Sequence, residues 1–172
     1  MKVIGFCDST DGSDWTVLGN DTVNLTVDTK VVYAPKRYAL EFDKADGTAN
    51  TVLAAVYKTI DLALRGFEPN DRICWLINIP DLTNVAYSFV RLGSDQSTNY
   101  AEWRFVDTSH TAGRWTVAWS KLGNAYAAGT GLNWDNIDSI AVGVAFDLET
   151  NALADILVDT IWLERVAVVE DD

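Results

Sequence analysis

The chain has 172 residues, a formal net charge of −12 and 48% hydrophobic residues. That length holds one domain whose core needs no disulfide or metal staple. Ordinary proline and charge contents exclude a disordered chain, and the negative charge disfavours direct contact with nucleic acid or anionic lipid.

The start, MKVIGFCDSTDGSD, carries one lysine and a short apolar run that turns acidic at once. It does not read as a signal peptide, and no later apolar run approaches membrane-spanning length. The segment from Asp8 to Asp14 is the nearest thing to an acidic metal loop, but it lacks the EF-hand spacing and terminal Glu. Asn20-Asp21-Thr22 and Asn24-Leu25-Thr26 fit the glycosylation sequon, which carries no weight without a secretion signal. Cys7 and Cys74 stand far apart and neither belongs to a Cys/His cluster, so zinc is not expected. Whether the two pair is open. Cys74 sits in an apolar run, where a buried inert thiol is the default.

From Thr51 to Leu64 two periods compete. Leu53, Val56, Tyr57, Ile60 and Leu64 fit a helix face, while Val56, Lys58, Ile60 and Leu62 alternate. The density of Val, Tyr, Thr and Ile and the missing N-cap favour a strand. Beyond it period two dominates. Trp75, Ile77 and Ile79 alternate with Leu76 and Asn78. The same pattern returns at Trp115, Val117 and Trp119, at Ile140 to Phe146, and at Ile156 to Trp162. Strands at short spacing with Gly, Asn, Asp and Pro between them predict an antiparallel sandwich or barrel rather than βαβ units. No internal repeat or linker interrupts them, so a free-standing single domain over residues 1–172 is expected. Residues 1–50 would supply the N-terminal strands and 167–172 an acidic tail.

The order of these motifs resembles carbohydrate-binding-module-like (galactose-binding-like) jelly-roll domains. The run Ile73-Cys74-Trp75-Leu76-Ile77-Asn78-Ile79-Pro80 is similar to their apolar strand ending in Ile-Pro. Arg91-Leu92-Gly93-Ser94-Asp95, followed by Asn99-Tyr100 and Trp103, resembles the strand–turn–strand that comes next. Gly113-Arg114-Trp115, the stretch from Asn133 to Ile140, and the closing run from Ile156 to Leu163 with Asp159 inside it complete the likeness. It covers roughly residues 50–166; earlier residues match only at Asp14-Trp15 and from Tyr38 to Phe42. The resemblance implies an all-β, antiparallel jelly-roll β-sandwich. Such domains occur in polysaccharide-degrading enzymes and in bacteriophage structural proteins, so the fold alone does not choose a function.

Chemistry is sparse. His110, the only histidine, falls in a turn, and no Gly-x-Ser-x-Gly or phosphate-binding glycine loop is present. With 25 acids on the chain, no catalytic carboxylate pair stands out, and an enzyme is not expected. Asp159 matches the closing-strand Asp of the resemblance, where sugar-binding jelly rolls often carry a structural calcium. It shares a face with Leu157, Ile161 and Leu163, which would bury it in part, and a buried carboxylate needs a partner. Backbone N–H groups or an arginine serve as well as calcium and are preferred, so no cofactor is expected.

Sugars are held by stacked aromatic faces with amides and acids on the hydroxyls. Trp75, Trp115 and Trp162 read as core, and Trp134 as a plug at the end of the sandwich. Tyr87 and Phe89 either line an outer face or meet the other sheet. Tyr100 and Trp103 fall on opposite strand faces. The polar knot from Gly93 to Asn99 reads first as a turn, because Asp, Ser, Thr and Asn bond their own backbone. A partner or glycan site at Asp95, Asn99, Tyr100 and Trp103 is the second reading. Two functions follow. The first is a non-catalytic virion subunit, a capsid-decoration, head or tail surface protein of a bacteriophage, assembled in the host cytoplasm and bound to copies of itself or other virion proteins. The alternative is a soluble carbohydrate-binding module, with a glycan, for a virion a host glycan, held by exposed aromatics.

Overall fold

The computed structural model describes residues 1–5, 12–19, 21–28, 38–46 and 52–166. Cys7, most of the acidic loop before Asp14 and the tail from 167 onward lie outside the described residues. The alternating segments form strands, as their β-branched and aromatic content favours. In chain order they are β1 (Lys2–Gly5), β2 (Thr16–Leu18), β3 (Thr22–Asp28), β4 (Ala39–Lys44), β5 (Leu53–Leu62), β6 (Arg72–Asn78), β7 (Val85–Gly93), β8 (Tyr100–Val106), β9 (Trp115–Lys121), β10 (Tyr126–Ala128), β11 (Ile137–Phe146) and β12 (Leu153–Glu164). Single 3₁₀ turns follow β8 and β9. The segment that read as either helix or strand is the strand β5.

Two six-stranded antiparallel sheets result, giving the expected all-β sandwich. The first runs β3-β4-β12-β6-β9, with β1 also on β12, and the second runs β10-β8-β7-β11-β5-β2. β12 is long enough to take two neighbours on one edge: β4 along Leu153–Val158 and β1 along Ile161–Leu163. The steps β4 to β5, β5 to β6, β6 to β7, β8 to β9 and β11 to β12 each cross between sheets, so most sequence neighbours face each other across the core.

Between the sheets lie Phe42, Val56, Ile73, Trp75, Ile77, Val90, Leu92, Trp103, Ile140, Val142, Val144, Val158 and Ile161, all buried. Burying side chains of this size stabilises the fold by about 1.5–3 kcal/mol each before chain entropy is counted. The two large indoles also need hydrogen-bond acceptors. Trp75 on β6 donates Nε1–H across the core to Ser88 Oγ on β7 at 3.1 Å, and Trp103 donates to the Leu122 carbonyl at 3.0 Å.

Four register shifts interrupt the first sheet: one on β1 between Val3 and Gly5, and three bulges on β3 and β12. Val23 pairs with Asp43 and Thr26 with Glu41, so β3 carries one extra residue. Leu153 pairs with Lys44 and Ile156 with Phe42, so β12 carries another. Asn24 and Asp155 take the left-handed conformations there, at φ 55° and 61°, a region that Asn and Asp tolerate better than most residues. One carboxylate fastens both bulges: Asp43 accepts from Asn24 Nδ2 at 2.6 Å and from the Asp155 amide at 2.9 Å.

The third bulge corrects the reading of Asp159. Val158 faces Ile77 and Ile161 faces Trp75, so Asp159 and Thr160 together stand opposite Leu76. The alternation therefore breaks, and Ile161 and Leu163 turn to the core without Asp159. The same registers place Trp115 opposite Asn78 and Trp162 opposite Cys74 on the outside of the sheet. Both are half-buried rather than core. Trp134 does not plug the sandwich; it is 41% exposed.

Candidate functional site

The outer face of the second sheet collects side chains that an ordinary solvated strand face would not. Val90, Leu92, Ala101 and Trp103 point to the core, so the residues between them point outward. On β7 these are Tyr87, Phe89 and Arg91, and on β8 they are Tyr100, Glu102 and Arg104. Register sets Arg91 against Glu102, Phe89 against Arg104 and Gly93 against Tyr100. The short edge strand β10 adds Tyr126 beside Glu102 and Ala128 beside Tyr100.

Charge and aromatic rings are interleaved here. Glu102, almost wholly buried, receives Arg91 Nε on Oε2 at 2.7 Å and Arg104 Nε on Oε1. The Arg104 guanidinium lies 4.4 Å from the Tyr87 ring centre and 4.0 Å from that of Tyr126. Arg91 lies 4.8 Å from Phe89 and 4.2 Å from Tyr100. Each cation thus rests between two rings, an arrangement that attracts through the ring quadrupoles and immobilises the guanidinium. Burial pushes the Tyr87 phenol above its ordinary pKa, and the negative charge of Glu102 adds to it.

Beside this row the sheet carries small, buried residues. Ala141, Gly143 and Ala145 of β11 lie between Phe89 and Tyr87 on one side and Ala55 and Tyr57 of β5 on the other. A Cβ on Gly143 would run into the Ala54 carbonyl and Ala55, so the two backbones approach too closely for any larger residue. Where β5, β11 and the loop after β7 meet, a cleft of about 390 Å³ is lined by Leu18, Tyr57, Thr59, Asp95, Gln96 and Ser139, among others.

Gln96 is the telling side chain in that cleft. It is only 6% exposed. Its Nε2 donates to Ser139 Oγ at 2.6 Å, and Ser139 passes its own proton to the Gly93 carbonyl at 3.1 Å. With its hydrogen committed, Ser139 can only accept from Gln96, which fixes the amide orientation. Oε1 is left buried without a hydrogen bond to any described residue. A buried acceptor in that state costs free energy until something donates to it.

The polar knot lies at the rim of this cleft. Asp95 Oδ1 accepts from the amides of Ser97 (2.9 Å), Thr98 (2.6 Å) and Asn99 (3.2 Å), and Oδ2 accepts from Thr98 Oγ1 and Asn99 Nδ2. These donors, the Thr98 amide first, hold its carboxyl well below the usual aspartate range. Asn99 Oδ1 in turn receives the amide and hydroxyl of Thr130. Asp95 and Asn99 therefore build the turn and tie it to the loop after β10.

Tyr100 stands on the outer face. Trp103 does not: at 0% exposure it is core, because the strand's period of two sends residues three apart to opposite sides. That corrects Trp103 as a ligand contact. Asp159 is buried and its Oδ1 accepts from Thr160 Oγ1 at 3.0 Å. Among the described residues no group of three His, Cys, Asp or Glu side chains is gathered to hold a metal. His110 is buried edge-on against Phe105, ring centres 5.1 Å apart. Among the described residues no helix is long and apolar enough to cross a membrane.

Sequence reasoning left Gln96, Ser139, Tyr57 and Tyr126 unassigned. The signal that points to the face was the string of charges inside strands, Arg91, Glu102 and Arg104, since ionised residues at strand centres need partners.

No family model and no curated protein matches the chain. Solved structures do. The chain is similar to an exo-beta-agarase, with a TM-score of 0.66 and 8% identity, covering 98% of this chain and 25% of that one. It therefore spans a quarter of the agarase chain's length. It is also similar to the family 11 carbohydrate-binding module of the cellulosomal cellulase Lic26A-Cel5E of Clostridium thermocellum, with a TM-score of 0.56 and 14% identity over 92% of this chain and 91% of that one. A third likeness is to CBM28, a carbohydrate-binding module specific for non-crystalline cellulose, with a TM-score of 0.55 and 14% identity over 94% and 93%. At such identities the likeness is one of fold, and the fold is the β-sandwich of carbohydrate-binding modules.

Proposed function

We infer that this chain binds a glycan on the outer face of its second sheet, with a sugar ring seated in the cleft beside Gln96 and Tyr57. The observation that carries this is Gln96 Oε1, a buried acceptor without a hydrogen bond to any described residue, set in a cleft walled by Tyr57 and Ser139. A sugar hydroxyl is the donor it lacks, and Tyr57 and Tyr100 offer faces for stacking. Similarity to carbohydrate-binding modules in solved structures supports the same reading. It displaces the virion subunit as first choice, because no similar solved structure reported above is a bacteriophage protein. The experiment is isothermal titration against a panel of soluble polysaccharides. Binding is expected, and Tyr57→Ala and Gln96→Leu should each weaken it about tenfold or more, since each removes a ring face or a buried acceptor. Trp119→Ala on the opposite face should leave it unchanged. Failure to bind any glycan would sink the proposal.

A second reading, assembly with copies of itself or another protein, is favoured by the outside of the first sheet. Val3, Val117 and Trp119 are exposed there beside half-buried Trp115 and Trp162, and exposed apolar patches mark contact surfaces. Light scattering on the purified chain separates the two: a defined oligomer dispersed by Trp119→Glu would support assembly.

A further inference from the structure

We propose that the glycan carries an oxyanion, a carboxylate or a sulfate ester, and that Arg104 grips it. This rests on the glycan-binding reading and names the chemical class of ligand for the same face. The argument begins with charge. Two guanidinium groups, Arg91 and Arg104, share the single carboxylate of Glu102, so one positive charge is left over. Arg91 is not where it surfaces. Its side chain is largely buried, and beyond Glu102 it donates Nη1–H to the Gln96 carbonyl at 3.1 Å.

Arg104 is different. Its Nε is spent on Glu102, while its two terminal nitrogens make no hydrogen bond to any described residue. The side chain is 35% exposed. Tyr87 and Tyr126 hold the guanidinium plane from either side. A solvated surface arginine normally loses rotamer freedom when it closes on an anion. Here Glu102 and the two rings already restrict that freedom, and the two terminal nitrogens remain available to an anion. That fork matches two oxygens of a carboxylate or sulfate. A neutral hydroxyl would use one arm and leave the surplus charge uncompensated.

The whole chain carries −12, so general attraction to a polyanion is absent. Any preference for charged glycan must therefore come from a local site. Matched polymers test it on the unmodified chain. De-esterified polygalacturonate is compared with its methyl ester, and a sulfated galactan with its desulfated form, by titration at one ionic strength. The charged member of at least one pair should bind about tenfold more tightly, the size expected of charge-assisted bonds, and the pair that responds identifies the oxyanion. Arg104→Gln should erase the difference, and Tyr126→Ala should reduce it, with circular dichroism confirming the fold. Equal or tighter binding of the neutral member in both pairs overturns this proposal and leaves glycan binding standing. No binding to any polymer overturns both.

Discussion

Asp95 spends both carboxylate oxygens on its own turn, and the consequence is measurable in acid. The folded state favours the ionised form, because backbone amides donate to it. Its contribution to stability is complete above the ordinary aspartate pKa of about 3.9 and drains away as the pH falls below that value. Asp95→Asn should therefore lower the melting temperature by a few degrees at pH 7, with the gap to the unmodified chain shrinking toward pH 3. A constant gap across that range would show that the charge is irrelevant. At this scale the sequence was legible where chemistry is local. The knot read first as a turn because short polar side chains bond their own backbone, and its bonds are of that kind. What Gln96 does was not legible, since its partner Ser139 lies 43 residues away.

At the scale of elements, strand alternation carried most of the fold. The strand within Thr51 to Leu64 was legible from its density of Val, Tyr, Thr and Ile and its missing N-cap. The failures share one cause. Period two tells which residues share a face, but not which face meets the other sheet. Trp115, Val117 and Trp119 alternate as cleanly as Trp75, Ile77 and Ile79, yet only the second set is core. β9 is an edge strand of its sheet, and its outward side carries indoles half covered by neighbours, such as Arg72 over Trp119 at 4.3 Å. β5 and β11 run close at Gly143, where an added Cβ would meet the Ala54 carbonyl and Ala55. Gly143→Ala should cost about 1–3 kcal/mol by forcing the strands apart, read as a lower denaturant midpoint.

Across the whole molecule, one buried cation joins segments that no local pattern would connect. Lys44 is almost wholly buried. Its Nζ meets Asp21 Oδ2 at 3.2 Å and donates to the carbonyls of Ala45 and Glu149, each at 2.9 Å. The approach to β3, the end of β4 and the loop before β12 are gathered on one ammonium group. Lys44→Ala should destabilise by roughly 3–5 kcal/mol, since it strands Asp21 in the interior. The double variant Lys44→Met with Asp21→Leu should recover most of that loss in thermal unfolding; no recovery would place the value of Lys44 in its carbonyl contacts. Strand spacing made an antiparallel sandwich or barrel legible, and the resemblance to jelly-roll domains chose the two-sheet sandwich. The candidate face was not, because it is assembled from β5, β7, β8, β10 and β11 together with the loop after β7, and only tertiary packing brings these together.

The bulges also decide how the chain can change length. β12 holds a surplus residue at 154–155 and another at 159–160. Removing one residue at either place would restore a regular ladder and leave Ile156, Val158, Ile161 and Leu163 facing inward. The same deletion anywhere else in the strand would invert every side chain beyond it. Insertions and deletions in this strand are thus permitted at two addresses, and Asp43 guards one of them.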